Sequence, residues 1–376
     1  MIVLDASAVP DFPSGARTRL RGLLGGYARL GDAPRVTVLI GRGGSLLDGV
    51  ALGSIEIEPV ERPGGPFARI WSRRRKAVRA ARLWHSETIP PLAPTGVPAL
   101  LTLHDLRWNE PRSVSGEPLA RWLPRHLAAR AWLPRLARSL TGIVTVSESS
   151  ARAIETELGV ARDRIAVVSD ATRPDSPGSR LEPMAADEVR RRLTALGVAG
   201  RPYFLALGQL EPRKGLELAM AALPARATLV LAGEGPARAA LAALSRRMGL
   251  AGGSDRVERV VFTGRVSERD GAALLDGAHA LLLPSRIEGF GFTPHEARVR
   301  GVPVIASDLP ALRETLAVDA GVQLLERTPS AWGAALAALD LAAAPRRISA
   351  PSAGTTWRDS ALALADLYRR RSLPLG

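Results

Sequence analysis

Short apolar segments alternate with longer amphipathic segments along the whole chain. In the first half the apolar segments are MIVL (1–4), RVTVLI (35–40), ARLW (81–84), PALLTLH (98–104), GIVTV (142–146) and IAVVS (165–169). Runs of this length are typical of buried strands, whereas the segments at 15–24 and 120–140 have the period of helices. The pattern predicts a parallel sheet flanked by helices.

The pattern is interrupted once and then restarts. Residues 171–182, ATRPDSPGSRLE, lack periodicity and collect Pro, Gly and Ser, which is typical of a linker, and a charged helix is predicted at about 184–197. The alternation resumes with YFLAL, ATLVLAG, RVVFTG, HALLLPS and VPVIAS. We therefore predict two doubly wound, Rossmann-like α/β domains, and such sheets bind ligands at the carboxyl ends of their strands. The predicted divisions are 1–172, 173–198 (linker and helix), 199–355 and 356–376 (C-terminal helix).

The composition gives the chain a large positive net charge. The 376 residues carry a formal net charge of +14, and Lys76 and Lys214 are the only lysines, so the excess is almost entirely arginine. Such an excess attracts anions. The chain has no cysteine, and its first residues have neither a basic n-region nor a long apolar stretch. We expect a cytoplasmic protein.

The segment EGFGFTPHEA, residues 288–297, suggests an anion site. Thr293 to Glu296 read as a capping box, so Glu296 closes its own helix in one interpretation and binds a ligand in the other; the two are compatible. A helix N-terminus favours an anion, and Gly289 and Gly291 let a ligand approach the backbone. Glu288 is either a solvated loop acid or an acceptor of hydroxyl hydrogen bonds. A phosphate beside two carboxylates that bind hydroxyls indicates a nucleotide sugar.

A second candidate segment is LALGQLEPRKGLEL, residues 205–218. It reads as a buried strand, a turn at Gly208, and the cations Arg213 and Lys214 before a helix. An isolated Arg-Lys pair is most often surface charge. However, lysine is rare in this chain, and its ammonium group is a compact charge that can reach phosphate oxygens. The GEGP segment at 233–236 reads as a turn without a catalytic role.

Taken together, these motifs resemble those of the family 4 glycosyltransferases, which have the two-domain GT-B architecture, and in particular the subgroup with EPRK after the first strand of the nucleotide-binding domain. The resemblance extends over most of the chain and includes LLTLHDLRW and GIVTVSESSARAI in the first half. It implies that the two domains face each other across a cleft and that the C-terminal helix crosses back to the first domain. The residues that it implies for the donor are Glu296 (ribose hydroxyls), Glu288 (donor sugar), the backbone of Gly289, Phe290, Gly291 and Phe292 (sugar and phosphates), and Lys214 with Arg213 (diphosphate), beside the Gly208 turn.

In the first half, the resemblance assigns His104 to the donor sugar and matches Gly15 to the first glycine of the family's N-terminal loop. Asp105 either fixes the tautomer of His104 or caps the next helix, and His85 is a weaker candidate for the acceptor side. The sequence departs from the family pattern at three places. Gln209 replaces an arginine, Arg17 replaces the second glycine of the N-terminal loop, and Asp170-Ala171 replaces Asn-Gly.

The resemblance implies a retaining enzyme that moves a hexose, mannose-like or glucose-like, from a nucleotide-diphosphate sugar to a glycan or lipid-linked acceptor. No D-x-D sequence occurs, and we expect no metal and no other cofactor. Residues 67–84 are basic, with Phe67, Trp71 and Trp84 among their apolar positions, and are read either as a solvated face or as a contact with an anionic membrane on its inner face. The alternatives to a transferase are a catalytically degenerate scaffold and an anion-binding subunit, but no nucleic-acid-binding signature is present.

Overall fold

The computed structural model describes residues 1–12, 14–42, 45–61, 81–91, 93–106, 111–115, 117–172, 184–252, 257–316, 321–345, 347–348 and 354–372. The chain forms two compact units. The first unit comprises Met1–Asn109, Leu123–Ser176 and Gly354–Gly376, and the second comprises Glu110–Trp122 and Pro177–Ala353. Each unit has its own parallel sheet and its own apolar core.

The strands in the described part of the chain are β1 (Ile2–Asp5), β2 (Val36–Gly41), β3 (Glu56–Val60), β4 (Leu83–Ser86), β5 (Ala99–Thr102), β6 (Gly142–Thr145), β7 (Ile165–Val167), β8 (Tyr203–Leu207), β9 (Thr228–Ala232), β10 (Val260–Gly264), β11 (Ala280–Leu283), β12 (Val304–Ser307) and β13 (Val322–Leu325). The first unit's sheet has the order β3-β2-β1-β4-β5-β6-β7, and the second unit's has the order β10-β9-β8-β11-β12-β13. In both orders the chain reverses direction beside its first strand, which is the doubly wound arrangement.

The helices in the described part are α1 (Gly15–Tyr27), α2 (Arg112–Ser115), α3 (Leu119–Ser139), α4 (Glu148–Leu158), α5 (Ala186–Ala195), α6 (Leu216–Ala221), α7 (Arg238–Arg247), α8 (Glu268–Gly277), α9 (Phe292–Val299), α10 (Pro310–Thr315), α11 (Pro329–Ala337) and α12 (Trp357–Ser372). Short 3₁₀ turns occur at Arg162–Arg164 and Pro212–Lys214. None of the described helices combines the length and the apolar character that a membrane span requires.

The C-terminal helix α12 belongs to the first unit, although the chain reaches it only after completing the second. The buried Ser360 hydroxyl donates to the carbonyl oxygen of Ser169 at 2.6 Å, just beyond β7. The ring of Tyr368 lies 6.3 Å from that of Tyr27 on α1. The predicted fold class, two doubly wound domains with a helix that crosses back, is therefore confirmed.

The two sheets contain two strands that the sequence pattern did not predict, β3 and β13. Both lie at the edge of their sheets, where one side of the strand lacks a partner strand. β3 reads EIEPV, an alternation with exposed Glu56 and Pro59, and proline is tolerated in edge strands. A search for continuous apolar runs finds strands that are buried on both faces, but it misses strands such as β3 and β13 whose side chains are partly exposed.

Two sequence interpretations concern segments that are only partly described. Residues 173–183 of the predicted linker and residues 67–80 of the basic segment lie outside the described residues. Trp84, proposed as one of the apolar side chains available to a membrane, is fully buried in β4, in the core of the first unit. That role for Trp84 is wrong, because the apolar run to which it belongs is a central strand of the sheet.

Candidate functional site

Lys214 and Glu288, which are 74 residues apart in sequence, form an ion pair in the second unit. The Lys214 Nζ donates to Glu288 Oε1 at 2.6 Å. Lys214 ends the 3₁₀ turn that follows β8, and Glu288 lies in the loop that follows β11. The two loops meet because β8 and β11 are parallel neighbours, with Phe204 opposite Ala280. The pair thus stands at the carboxyl edge of the sheet, where such folds bind their ligands.

Glu288 is held from three directions. Besides Lys214, the Ser285 hydroxyl donates to Glu288 Oε1 at 2.7 Å, and Arg213 Nη1 lies 3.7 Å from Oε2. Burial raises the pKa of the Glu288 carboxyl, but the charges of Lys214 and Arg213 and the two hydrogen bonds outweigh burial and hold this pKa below its ordinary value. Glu288 is therefore a buried carboxylate that keeps its charge.

The Lys214 turn approaches the β11 loop closely because Gly215 follows it. Gly215 has φ +60, and a Cβ atom at this position would overlap the carbonyl of Pro284 and the guanidinium of Arg327. A larger residue here would force the Lys214 turn or the loop after β11 to shift. The GEGP turn lies against the preceding part of the loop. The carbonyl oxygen of Glu234 in this turn accepts a hydrogen bond from the Leu210 amide at 3.0 Å. The turn therefore supports the loop that follows β8.

A shallow, open recess lies beside the ion pair. Its walls come from the ends of β8 and β11 and from the loops that follow them: Ala206, Leu207, Gly208, Gln209, Leu210, Lys214, Leu216, Leu282, Leu283 and Pro284. Gln209, which stands where the family pattern has an arginine, is part of this wall. The recess therefore combines an apolar floor with the Lys214 ammonium and an amide side chain.

Two arginines that sequence reasoning missed tie the loops together. The Arg286 backbone amide donates to the Arg213 carbonyl at 2.8 Å, and its guanidinium pairs with Glu217 of α6 at 2.5 Å. Arg327, just beyond β13, donates to the Pro284 carbonyl at 3.2 Å. The loops after β8, β11 and β13 are thus linked around Lys214 and Glu288. No sequence signal singled out these residues, since arginine is abundant throughout this chain.

The helix after the Gly289–Phe292 loop begins two residues earlier than the capping-box interpretation requires. Helix α9 starts at Phe292, and its N-cap is Gly291 with φ 88 and no side-chain cap. The Thr293 hydroxyl donates to the carbonyl of Leu207 at 3.4 Å instead. The predicted capping box from Thr293 to Glu296 is wrong, because left-handed Gly291 already turns the chain into the helix. Glu296 lies on the second turn of α9, half-buried.

Phe290 fixes this loop to the domain. Its side chain is buried, with ring-centroid distances of 5.3 Å to Phe292 and 4.8 Å to His295. Its carbonyl accepts the Thr315 hydroxyl at 3.1 Å. Because the Phe290 side chain packs inside the domain, the groups of this loop that can contact a ligand are the backbone atoms of Gly289–Phe292.

The remaining predicted residues, His104 and Gly15, belong to the first unit. His104 follows β5, half-buried, and its carbonyl accepts the Ser150 hydroxyl of α4 at 3.0 Å. Gly15 is the first residue of α1, whose N-cap is Ser14. The Ser14 hydroxyl accepts the amide of Arg17 at 3.2 Å, so the arginine in the N-terminal loop is incorporated into the first turn of the helix. Both predicted residues thus lie at the carboxyl edge of the first sheet.

Comparison with known families covers both units. Residues 13–175 match the model of Glycosyltransferase Family 4, and residues 201–340 match that of Glycosyl transferases group 1. The chain belongs to glycosyltransferase family 4. The fold agrees with this assignment. The structure of Anabaena HepE in complex with UDP and glucose superposes with a TM-score of 0.66 at 18% identity, covering 89% of this chain and 88% of that one.

Two curated relatives illustrate the range of this glycosyltransferase family. The 2-deoxystreptamine glucosyltransferase of Streptomyces kanamyceticus is 30% identical over 227 residues, 59% of this chain and 55% of the relative. The GDP-mannose-dependent alpha-(1-6)-phosphatidylinositol monomannoside mannosyltransferase of Mycobacterium tuberculosis is 32% identical over 155 residues, 38% of each chain. The chain thus spans about half or less of the length of these relatives.

His85, considered for the acceptor side of this family 4 chain, is enclosed in the first unit. It is fully buried, with Nδ1 2.7 Å from the Tyr368 hydroxyl and Nε2 2.8 Å from the Thr102 hydroxyl. Both ring nitrogens are engaged by internal partners. The acceptor-side interpretation of His85 is wrong, because α12 covers this part of the sheet and takes up the imidazole as a structural contact.

Beside His85 lies a buried charge cluster that the sequence did not reveal. Arg19 of α1 pairs with Asp170, its Nη1 donates to Val168 O at 3.1 Å, and its Nε lies 3.8 Å from Glu87. Arg19, Glu87 and Asp170 are almost completely inaccessible to solvent. Burial raises the pKa of both carboxyls, although the Arg19 charge opposes this effect. Asp170, a departure from the family pattern, thus has a structural partner in this chain.

The two buried histidines predict that stability falls in mild acid. Burial, together with the nearby charges of Arg19 and Arg298, lowers the pKa of His85 and of His295 to about 3. Below about pH 6.5 these two imidazoles bind protons in the unfolded chain but stay neutral in the folded chain. Each unit should therefore lose about 1.4 kcal/mol of unfolding free energy per pH unit towards the lower end of this window.

Urea denaturation of the wild type and of His295→Phe between about pH 4 and pH 7 measures this dependence. In His295→Phe the second unit should lose less stability on acidification than it does in the wild type. Parallel curves for the two proteins would contradict the prediction, because they would show that His295 takes up its proton as readily in the folded chain as in the unfolded one.

Proposed function

We propose that this chain is a retaining glycosyltransferase that moves a hexose from a nucleotide-diphosphate sugar to an acceptor. The observation that carries the proposal is the Lys214–Glu288 pair beside the recess at the carboxyl ends of β8 and β11. It offers an ammonium group for phosphate and a charged carboxylate for sugar hydroxyls in one place. The solved relative contains UDP and glucose, and the mycobacterial relative is named for GDP-mannose.

In the proposed reaction, the bond between the anomeric carbon and the diphosphate oxygen breaks, and the diphosphate gains negative charge. Lys214 and Arg213 stabilise this charge, because they are held in fixed positions by Glu288, Glu211 and the Arg286 amide. The amide groups that begin α9 add a dipole of the same sign. Glu288 accepts hydroxyl hydrogen bonds from the hexose, Glu296 accepts those of the ribose, and His104 contacts the hexose.

The acceptor oxygen forms its bond to the anomeric carbon on the face from which the diphosphate leaves, and its proton passes to a diphosphate oxygen. No enzyme nucleophile and no metal are required by this scheme. Among the described residues, no group of three or more His, Asp or Glu side chains is arranged to hold a metal ion. We propose a glycan or a lipid-linked acceptor at the cytoplasmic face of a membrane.

A second candidate function is a catalytically inactive scaffold, which Gln209 and Arg17 favour because each replaces a residue of the family pattern in a ligand-binding loop. The scaffold and the enzyme differ in turnover. Release of nucleoside diphosphate from the donor that binds best, measured with and without candidate acceptors, distinguishes them.

The proposed donor site predicts a nucleotide-dependent thermal shift. Among UDP, GDP, ADP and dTDP, one should raise the melting temperature, by about 5–10 °C at a hundredfold excess over its dissociation constant. Differential scanning fluorimetry measures this shift. A shift with polyanions such as heparin and with none of the nucleotides would contradict the donor site and favour an anion-binding subunit.

A further inference from the structure

Helix α3 presents large apolar side chains to solvent. Leu119, Leu123 and Leu127 have exposed fractions of 51%, 42% and 57%, and Trp132 has 44%. The three leucines are spaced four residues apart, so they form one stripe along the helix. Only Leu133 and Ala137 of α3 are buried. A helix of this length with so few buried positions leaves an apolar surface exposed.

The same helix is strongly basic. Its 21 residues, LARWLPRHLAARAWLPRLARS, contain five arginines and one histidine but no aspartate or glutamate. Arg121, Arg130 and Arg138 are exposed. Arg138 Nε donates to the backbone carbonyl of Pro134 at 3.1 Å, a contact that leaves its charge unneutralised. Exposed leucines are therefore interspersed with cations on a helix that carries no carboxylate.

This combination identifies the partner by its chemistry. A second copy of the chain would bring arginines against arginines across a symmetric contact. A nucleic acid would use the charges but leave the leucine stripe in water. An anionic bilayer surface accepts both, because apolar side chains enter the acyl boundary while arginines reach the phosphates. We propose that α3 lies on an anionic lipid surface, with Leu119, Leu123 and Leu127 inserted. The site is distinct from residues 67–84, and the proposal does not depend on transferase activity.

Vesicle flotation tests the proposal in the full chain without a donor. Wild-type protein should float with vesicles of phosphatidylcholine and phosphatidylglycerol, and much less with phosphatidylcholine alone. The triple variant Leu119→Ser, Leu123→Ser, Leu127→Ser should bind about tenfold more weakly or worse. The variant Arg121→Gln, Arg130→Gln should bind the anionic vesicles more weakly than the wild type, and its binding should depend less steeply on salt, because fewer charges remain to be screened.

A matched control replaces three exposed apolar residues elsewhere, Met248→Ser, Val257→Ser and Leu362→Ser, and should float like the wild type. Circular dichroism confirms that each variant is folded, which is expected because all the replaced side chains are exposed. Equal recovery with and without phosphatidylglycerol would overturn the proposal. Unchanged flotation of the leucine variant would also overturn it. So would an arginine variant that retains less RNA than the wild type in a filter-binding assay but floats with the vesicles as the wild type does.

Discussion

Replacing Lys214 with alanine is expected to lower kcat/KM for the nucleotide sugar by about 10²-fold or more. The ammonium group is pinned beside the recess by Glu288 at 2.6 Å, so it is already placed before the leaving diphosphate gains charge. Its removal also leaves the buried Glu288 carboxylate with one cation fewer. The measurement is the initial rate of donor turnover, with kcat and KM determined separately. A fall in kcat locates the effect in the transition state.

Arg190→Ala provides the control, because it also removes one cation from the second unit. Arg190 pairs with Asp187 on the exposed helix α5, and both side chains are about three-quarters accessible. Its rate should equal that of the wild type. If the two variants lose activity equally, the effect reflects the general charge of the unit rather than the position of Lys214.

Replacing Arg19 with methionine is expected to lower the unfolding free energy of the first unit by about 3–5 kcal/mol. Methionine fills much of the same space, but Asp170 and Glu87 remain buried without their cation. The loss should be larger at neutral pH than in acid, where protonation of these carboxyls relieves it. Guanidinium chloride denaturation followed by tryptophan fluorescence measures the change, since Trp84 lies in the same core.

Arg190→Met is the matched control for Arg19→Met, because it makes the same substitution at an exposed ion pair. It should leave stability nearly unchanged. If both methionine variants unfold at the same denaturant concentration as the wild type, the buried pair is a neutral feature of the core, and the structural partnership of Asp170 is wrong.

The sequence predicted the central strands of both sheets because they are buried on both faces and read as continuous apolar runs. It did not predict β3 or β13, because β3 carries exposed Glu56 and Pro59 and β13 has one buried position, Val322. It also predicted that Lys214 and Glu288 lie close together, because the carboxyl ends of neighbouring parallel strands share an edge. It misplaced the start of α9, since a left-handed glycine resembles a loop residue until its φ is known.

Other parts of the site depend on contacts that are distant in sequence. The pairing of Arg286 with Glu217 and the bond from Arg327 to Pro284 join separate loops, and among so many arginines the sequence does not mark them. His85 resembled a ligand-binding residue because it ends a strand. Only the partner 283 positions away shows that it is structural.

That partner also sets an order for biosynthesis. The ribosome completes residues 177–353 before it makes Tyr368, so the sheet of the second unit can form while the first still lacks its last helix. During that interval the imidazole of His85 and the ring of Tyr27 have no Tyr368 to contact. The half of the chain that is translated first therefore cannot complete its packing until the last residues are made.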